Sequence, residues 1–145
     1  MNLLPVAALL LVSATSALAQ AQPSGTPDVV GNWKVVGWTL PNVIPVRGYV
    51  PTLKFSGAGQ SLSVTGKAGC NIINGPVTLK GDQLTFGVLV STRVACSVAV
   101  GQQETSLIKA LSGQTLTALR VADSLTLTTE SGSELNIRRS TIQAK

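Results

Sequence analysis

The 145-residue sequence contains no histidine. That absence excludes a Ser-His-Asp triad, a Cys-His pair and any imidazole metal site. Negative charge is also scarce: 6 Asp+Glu stand against 11 Lys+Arg, for a net charge of +5 with only 12% of residues charged. The basic balance comes from a shortage of acids, not from a crowd of bases. Aromatic residues make up 3% of the chain, namely two Trp, two Phe and one Tyr. Nucleic-acid barrels stack bases on exposed aromatic rings, and these few mostly occupy core-like positions, so no nucleic-acid partner is expected. Two cysteines are too few ligands for a cysteine zinc site, and neither a metal nor a cofactor is expected. No apolar run reaches the roughly 18 residues of a membrane-spanning helix.

What is present begins with the pattern of an export signal. Leu3 to Val12 is apolar throughout, and Ser13, Thr15 and Ser16 then interrupt it. The length suits the apolar region of a secretory signal, although Met1-Asn2 carries no basic residue. Ala17-Leu18-Ala19 supplies a small-x-small cleavage site and Ala19-Gln20-Ala21 a second, so cleavage is expected before Gln20 or before Gln22. Residues 1–19 thus read as a signal peptide (to 21 if the second site is used). Residues 20–30, with Pro23, Ser24, Gly25 and Pro27, read as a flexible leader. Residues 31–138 read as one domain, and 139–145 as a basic tail. No cysteine lies near the cleavage sites, so the expected location is periplasmic or secreted, without a lipid anchor.

Strand patterns recur along the mature chain. Trp33 to Val36 follows Gly31, and Leu53 to Phe55 precedes a Gly57-Ala58-Gly59 turn. Ser61 to Thr65 alternates polar and apolar residues, as a strand with one buried face requires. Val77 to Leu79 and Leu84 to Phe86 flank Gly81-Asp82 as a hairpin. Leu116 to Val121 is a further strand, and Ser124 to Thr128 pairs with Leu135 to Ile137 across a Ser131-Gly132 turn. One segment has helical spacing instead: Leu107, Ile108 and Leu111 within 102–112, with Glu104 in the first turn and Gly113 at the stop. The expected fold is mainly β, a small antiparallel β-barrel-like domain with one α-helix at about 102–112. Closure into a barrel removes exposed strand edges.

Cys70 and Cys96 are expected to pair, because two cysteines in an exported small domain usually do. Closing that loop stabilises the fold by about 3 to 4 kcal/mol in the chain-entropy model. Other patterns lead nowhere. Ser106-Leu107-Ile108-Lys109 matches S-x-x-K, but the S-D-N and K-T-G partners of penicillin-recognising enzymes are missing. Gly57-Ala58-Gly59 has Leu62 where a dinucleotide loop needs its third glycine. The six acids, Asp28, Asp82, Glu104, Asp123, Glu130 and Glu134, fall mostly in turn-like or exposed contexts with no pair set apart. No catalytic residue is expected, and the chain is not read as an enzyme.

One family accounts for the remaining pieces together. Gly66-Lys67-Ala68-Gly69-Cys70-Asn71-Ile72-Ile73-Asn74-Gly75 resembles the G-x-x-G-C-N-x-x-x-G signature of the META domain (HslJ-like) family of bacterial envelope proteins. Ser91-Thr92-Arg93-Val94-Ala95-Cys96 resembles that family's second block, and Gln103-Glu104 with Leu107 to Leu111 its helix. The resemblance runs from about Gly31 to Ile137, with Val94 in place of a usual Met and no lipobox cysteine. It implies a small barrel with a helix, no established enzymatic activity, and a link to heat-shock induction and antibiotic tolerance. Gly66, Gly69, Cys70, Asn71, Gly75, Ser91, Thr92, Ala95, Cys96, Gln103 and Glu104 are therefore the candidate site residues, either maintaining the fold or forming a binding surface. Read from the residues alone, the three glycines supply backbone conformations closed to other residues, and Asn71 bonds its own turn. The expected function is a non-enzymatic envelope protein that supports stress or antibiotic tolerance through contact with another protein or the envelope. The alternatives are a carrier of a small apolar ligand and an inhibitor of an exported hydrolase.

Overall fold

A computed structural model describes residues 25–41 and 45–141. The expected signal peptide, both expected cleavage sites and the last four residues of the expected basic tail lie outside these residues. The described elements are β1 (Gly31–Trp38), β2 (Thr52–Ala58), β3 (Ser61–Lys67), β4 (Ile72–Lys80), β5 (Gln83–Phe86), β6 (Val90–Ser91), α1 (Val98–Leu111), β7 (Thr115–Val121), β8 (Ser124–Thr128) and β9 (Glu134–Arg139).

Eight strands close into an antiparallel barrel in the order β3-β2-β1-β9-β8-β7-β5-β4, with β4 returning to β3. The two-residue β6 lies beside the first half of β4, where Ile73 faces Ser91 and Asn74 faces Val90. Alternation decides which side chains enter. In β3, Leu62 and Val64 are buried while Ser61, Ser63 and Thr65 are exposed, and β7, β8 and β9 repeat that period of two. The inward residues form one core cluster that includes Trp33, Leu53, Phe55, Ile73, Leu84, Phe86, Leu116, Leu125, Leu127 and Leu135. Phe55 and Phe86 meet edge to face inside it, with centroids 6.1 Å apart. An eight-stranded barrel is just wide enough for its own side chains to fill, and here they do.

The two ends are closed differently. α1 covers one of them, with Leu107 and Leu111 fully buried in the core. Ser97 caps this helix, its hydroxyl accepting from the Val100 N–H. At the other end the chain entering β1 lies across the base: Val29 is buried, and the Trp33 indole N–H donates to the Val29 carbonyl at 2.7 Å.

Several boundaries differ from the sequence reading. The helix starts at Val98, four residues before the expected Gln102, so Glu104 lies in its second turn and no acid occupies the first. Val98, Val100 and Gly101 are weak helix formers and hid this start. Glu104 is also buried, whereas the sequence reading set the acids mostly in turn-like or exposed contexts. The stretch 66–75 is mostly strand, with only Ala68 to Asn71 connecting β3 to β4. The packed chain begins before Gly31, because Val29 belongs to the core.

Candidate functional site

The candidate residues converge at the helix-covered end of the barrel. Cys70 and Cys96 form a disulfide with their Cα atoms 6.3 Å apart, tying the β3–β4 turn to the segment that enters α1. Beside it lies Asn71, only 5% exposed. Its amide nitrogen donates to Glu104 Oε2 at 2.8 Å and to the Val94 carbonyl at 3.2 Å. Its Oδ1 accepts from the Val94 N–H at 2.7 Å and from the Thr92 hydroxyl at 2.9 Å. The Asn71 backbone N–H donates to Glu104 Oε1, and its carbonyl accepts from the Ala68 N–H. Both donors and both acceptor sites of the side-chain amide are thus in use.

The sequence reading expected Asn71 to bond the backbone of its own turn; within the turn its side chain instead meets only Cys70 Sγ, at 3.7 Å. It reaches across to the 92–94 segment and to the helix. The Glu104 carboxylate, 6% exposed, takes both of its donors from this one residue. The preceding Gln103, 1% exposed, performs a parallel task. Its amide nitrogen donates to the Tyr49 and Ala68 carbonyls at 2.8 and 2.9 Å, and its oxygen accepts from the Val46 N–H at 2.7 Å. Two adjacent helix residues thus hold the 45–50 loop, the 68–71 turn and, through Asn71, the 92–94 segment. Leaving any of these buried donors without its partner costs about 1 to 3 kcal/mol.

The glycines serve space, not unusual dihedrals: Gly66, Gly69 and Gly75 all lie outside the positive-φ set. A Cβ at Gly69 would stand 2.7 Å from Val100 Cγ1 and 2.8 Å from Glu104 Cγ, and one at Gly75 would stand 2.7 Å from Leu89 Cδ2. A Cβ at Gly66 would collide with the Thr52 carbonyl oxygen. The absent side chains let the turn approach the helix and let the 87–89 segment approach β4. Ser91 pairs with Ile73 in β6, Thr92 exchanges bonds with Ile72 and Asn71, and Ala95 is exposed between Val94 and Cys96.

The cysteine sulfurs and a Glu104 oxygen lie within 4.8 Å of one another. Joined as a disulfide, the sulfurs are not thiolate ligands, and the carboxylate is committed to Asn71. Ser106 and Lys109 lie apart from this node, lining an open surface depression of about 590 Å³ with Glu130 and Ser131.

A second polar cluster, not anticipated from sequence, closes the opposite end. Asp28 accepts from Arg120 at 2.7 Å and from Arg139 at 3.4 Å. Both guanidinium groups stand over the Trp33 ring, 5.9 and 4.8 Å from its centroid. The Arg120 hydrogen bond holds the Asp28 carboxyl below its ordinary value against a smaller opposing effect of desolvation. Gly31, at φ +134, leaves room for Arg139, whose Nη1 would be 2.7 Å from a Cβ there.

The match to the META domain family model covers residues 28–141. This chain belongs to the META domain family. The matched span begins at Asp28 and so includes both ends of the barrel. Two solved structures share the META fold seen here. One is an NMR structure of a protein from Burkholderia xenovorans, with 24% identity and a TM-score of 0.65, covering 90% of this chain and 99% of that one. The other is also an NMR structure, with 20% identity and a TM-score of 0.58, covering 79% of this chain and 92% of that one. At these identities the likeness concerns the fold alone. No curated protein matches the chain. Among the described residues of this META protein, no helix is long and apolar enough to cross a membrane.

Proposed function

We propose that this META domain protein is exported and non-enzymatic, and that it supports stress or antibiotic tolerance by presenting its outer surface to another component of the cell envelope. The observation that carries this reading is where the protein's polar and apolar capacity goes. The barrel interior is filled by its own core cluster, and the polar atoms of Asn71 and the Glu104 carboxylate are engaged inside the fold. A filled barrel counts against the apolar-ligand carrier, whose cargo needs interior space. A motif occupied with internal bonds counts against chemistry at the motif. What remains for interaction is the outer wall. The disulfide agrees with an oxidising compartment.

Two measurements test this. A strain lacking the gene is compared with its parent under heat, antibiotic and detergent stress, with reduced survival expected; equal survival in all three overturns the tolerance role. Native mass spectrometry of protein recovered from its own cells is expected to give the bare mature mass, two hydrogens lighter than after reduction. A discrete extra mass that denaturation removes would restore the carrier.

A further inference from the structure

The outer wall is not uniform. On β2 the outward positions run Thr52, Lys54, and strand register sets two further lysines around them. Thr52 faces Lys34 of β1 on one side and Lys67 of β3 on the other. Lys34 and Lys67 therefore lie two strands apart, about 10 Å at the usual strand spacing, with Lys54 two residues along β2. Arg138 of β9 directly faces Lys34 and extends the cationic row by one strand. Among the described residues none of these four cations has a carboxylate partner; the ion pairs are those of Asp28. The acids are elsewhere. Glu104 is buried, Asp82 and Asp123 lie in turns at the end of the barrel away from the helix, Glu130 lies in the β8–β9 turn, and Glu134 begins β9 opposite Thr128.

Two more features lie on the same wall. A shallow groove of about 300 Å³ is lined by Trp33, Leu53 and Ile72 as well as by Lys54, Lys67 and Thr52, so its surface is mainly apolar and carries a few side-chain donors able to meet a phosphate oxygen. Directly above the lysines, toward the helix end, the wall turns apolar. The Val35 N–H bonds the Pro51 carbonyl, which continues the β1–β2 alignment and sets Val50 near Val36. These valines are 43% and 61% exposed, and Tyr49 beside them is 44% exposed. Positive charge, phosphate-fitting donors and an exposed apolar rim with a tyrosine thus share one face. Aromatic rings and apolar chains settle at a membrane interface while lysines meet anionic headgroups. A nucleic acid would use the charge but not the valine rim, and Tyr49 is a lone exposed ring on this face, Trp38 being packed against the core, so bases find no run of rings on which to stack.

We propose that the β1–β2–β3 wall, with Lys34, Lys54 and Lys67 below an apolar rim of Val36, Tyr49 and Val50, docks on an anionic phospholipid surface. This deepens the envelope-interaction reading and rests on it, because export decides which membrane the wall meets. Purified protein and vesicles need no export, so a failure here is distinguishable from a failure of the deletion phenotype.

The test is co-sedimentation of the mature protein with vesicles of equal phosphatidylglycerol and phosphatidylcholine, and with phosphatidylcholine alone. Binding is expected only to the anionic vesicles and is expected to weaken as salt rises. The double variant Lys54→Gln/Lys67→Gln should bind about 25-fold more weakly, at roughly fivefold per cation. Lys80→Gln/Lys109→Gln, which removes the same charge from other faces, should lose less than threefold. Val36→Ser/Val50→Ser, with charge unchanged, should also weaken vesicle binding while leaving any attraction to a duplex DNA oligonucleotide intact. Circular dichroism checks that each exposed substitution leaves the fold in place. Absence of binding, equal losses in the two charge variants, or tighter binding to the DNA than to the vesicles would each overturn the proposal.

Discussion

The two ends of the barrel are held by different physics. At the helix-covered end, Gln103, Glu104 and Asn71 are buried and knit three segments through short hydrogen bonds, with the Cys70–Cys96 disulfide alongside. At the other end, Asp28, Arg120 and Arg139 form ion pairs with side chains that are 65%, 25% and 30% exposed. Buried polar groups lose their partners at full desolvation cost, whereas exposed pairs are screened and contribute about 0 to 1 kcal/mol. At the helix-covered end the motif residues thus fasten the helix over a barrel that strand pairing alone leaves open there.

The largest effects are therefore expected at the helix-covered end. Removing the disulfide with Cys70→Ala/Cys96→Ala should lower the unfolding free energy by about 3.5 kcal/mol, measured by urea denaturation. A loss below about 1 kcal/mol would mean the polar node holds the turn without it. Gly69→Ala should cost about 1 to 3 kcal/mol, because the new methyl meets Val100 and the Glu104 stem at under 3 Å. Neutral behaviour there would show that the turn and helix have room to separate.

The smallest effect belongs to the opposite end. Asp28→Asn should cost no more than about 1 kcal/mol at neutral pH and low salt, and less in 1 M salt. The sign of its pH dependence follows from the lowered carboxyl. Arg120 favours the ionised form in the folded protein, so the stabilisation is present above the ordinary carboxyl value of 3.8. It is lost as pH falls through the depressed folded value. Wild-type and Asp28→Asn stabilities should accordingly converge in acid. A cost at neutral pH larger than that of Gly69→Ala would reverse the contrast between the ends.

Much of this is legible in the sequence. The alternation of Ser61 to Thr65 and of Ser124 to Thr128 marks one-sided burial, and those strands stand where the pattern placed them. The barrel and the disulfide follow from many short strands and an even cysteine count. What was hidden depends on distance along the chain or on the absence of a side chain. Asn71 meets Glu104 across 33 residues and Asp28 meets Arg139 across 111, and no local pattern records such meetings. The glycines of the motif read as suppliers of unusual backbone conformations because their close approach to Val100, Leu89 and Thr52 is a tertiary fact. The helix start was concealed by Val98, Val100 and Gly101, whose intrinsic preference is overridden by the Ser97 cap and by burial of Val100.

The most direct test of the clamp is a double-mutant cycle on Asn71 and Glu104, with the unfolding free energies of wild type, Asn71→Ala, Glu104→Ala and the double variant measured under one condition. Each single change should cost about 2 to 4 kcal/mol by stranding the other's buried groups. The double change should cost less than their sum by about 1 to 3 kcal/mol. Costs that add to within about 0.5 kcal/mol would contradict the account, since the two residues would then act independently and the motif would not be a clamp.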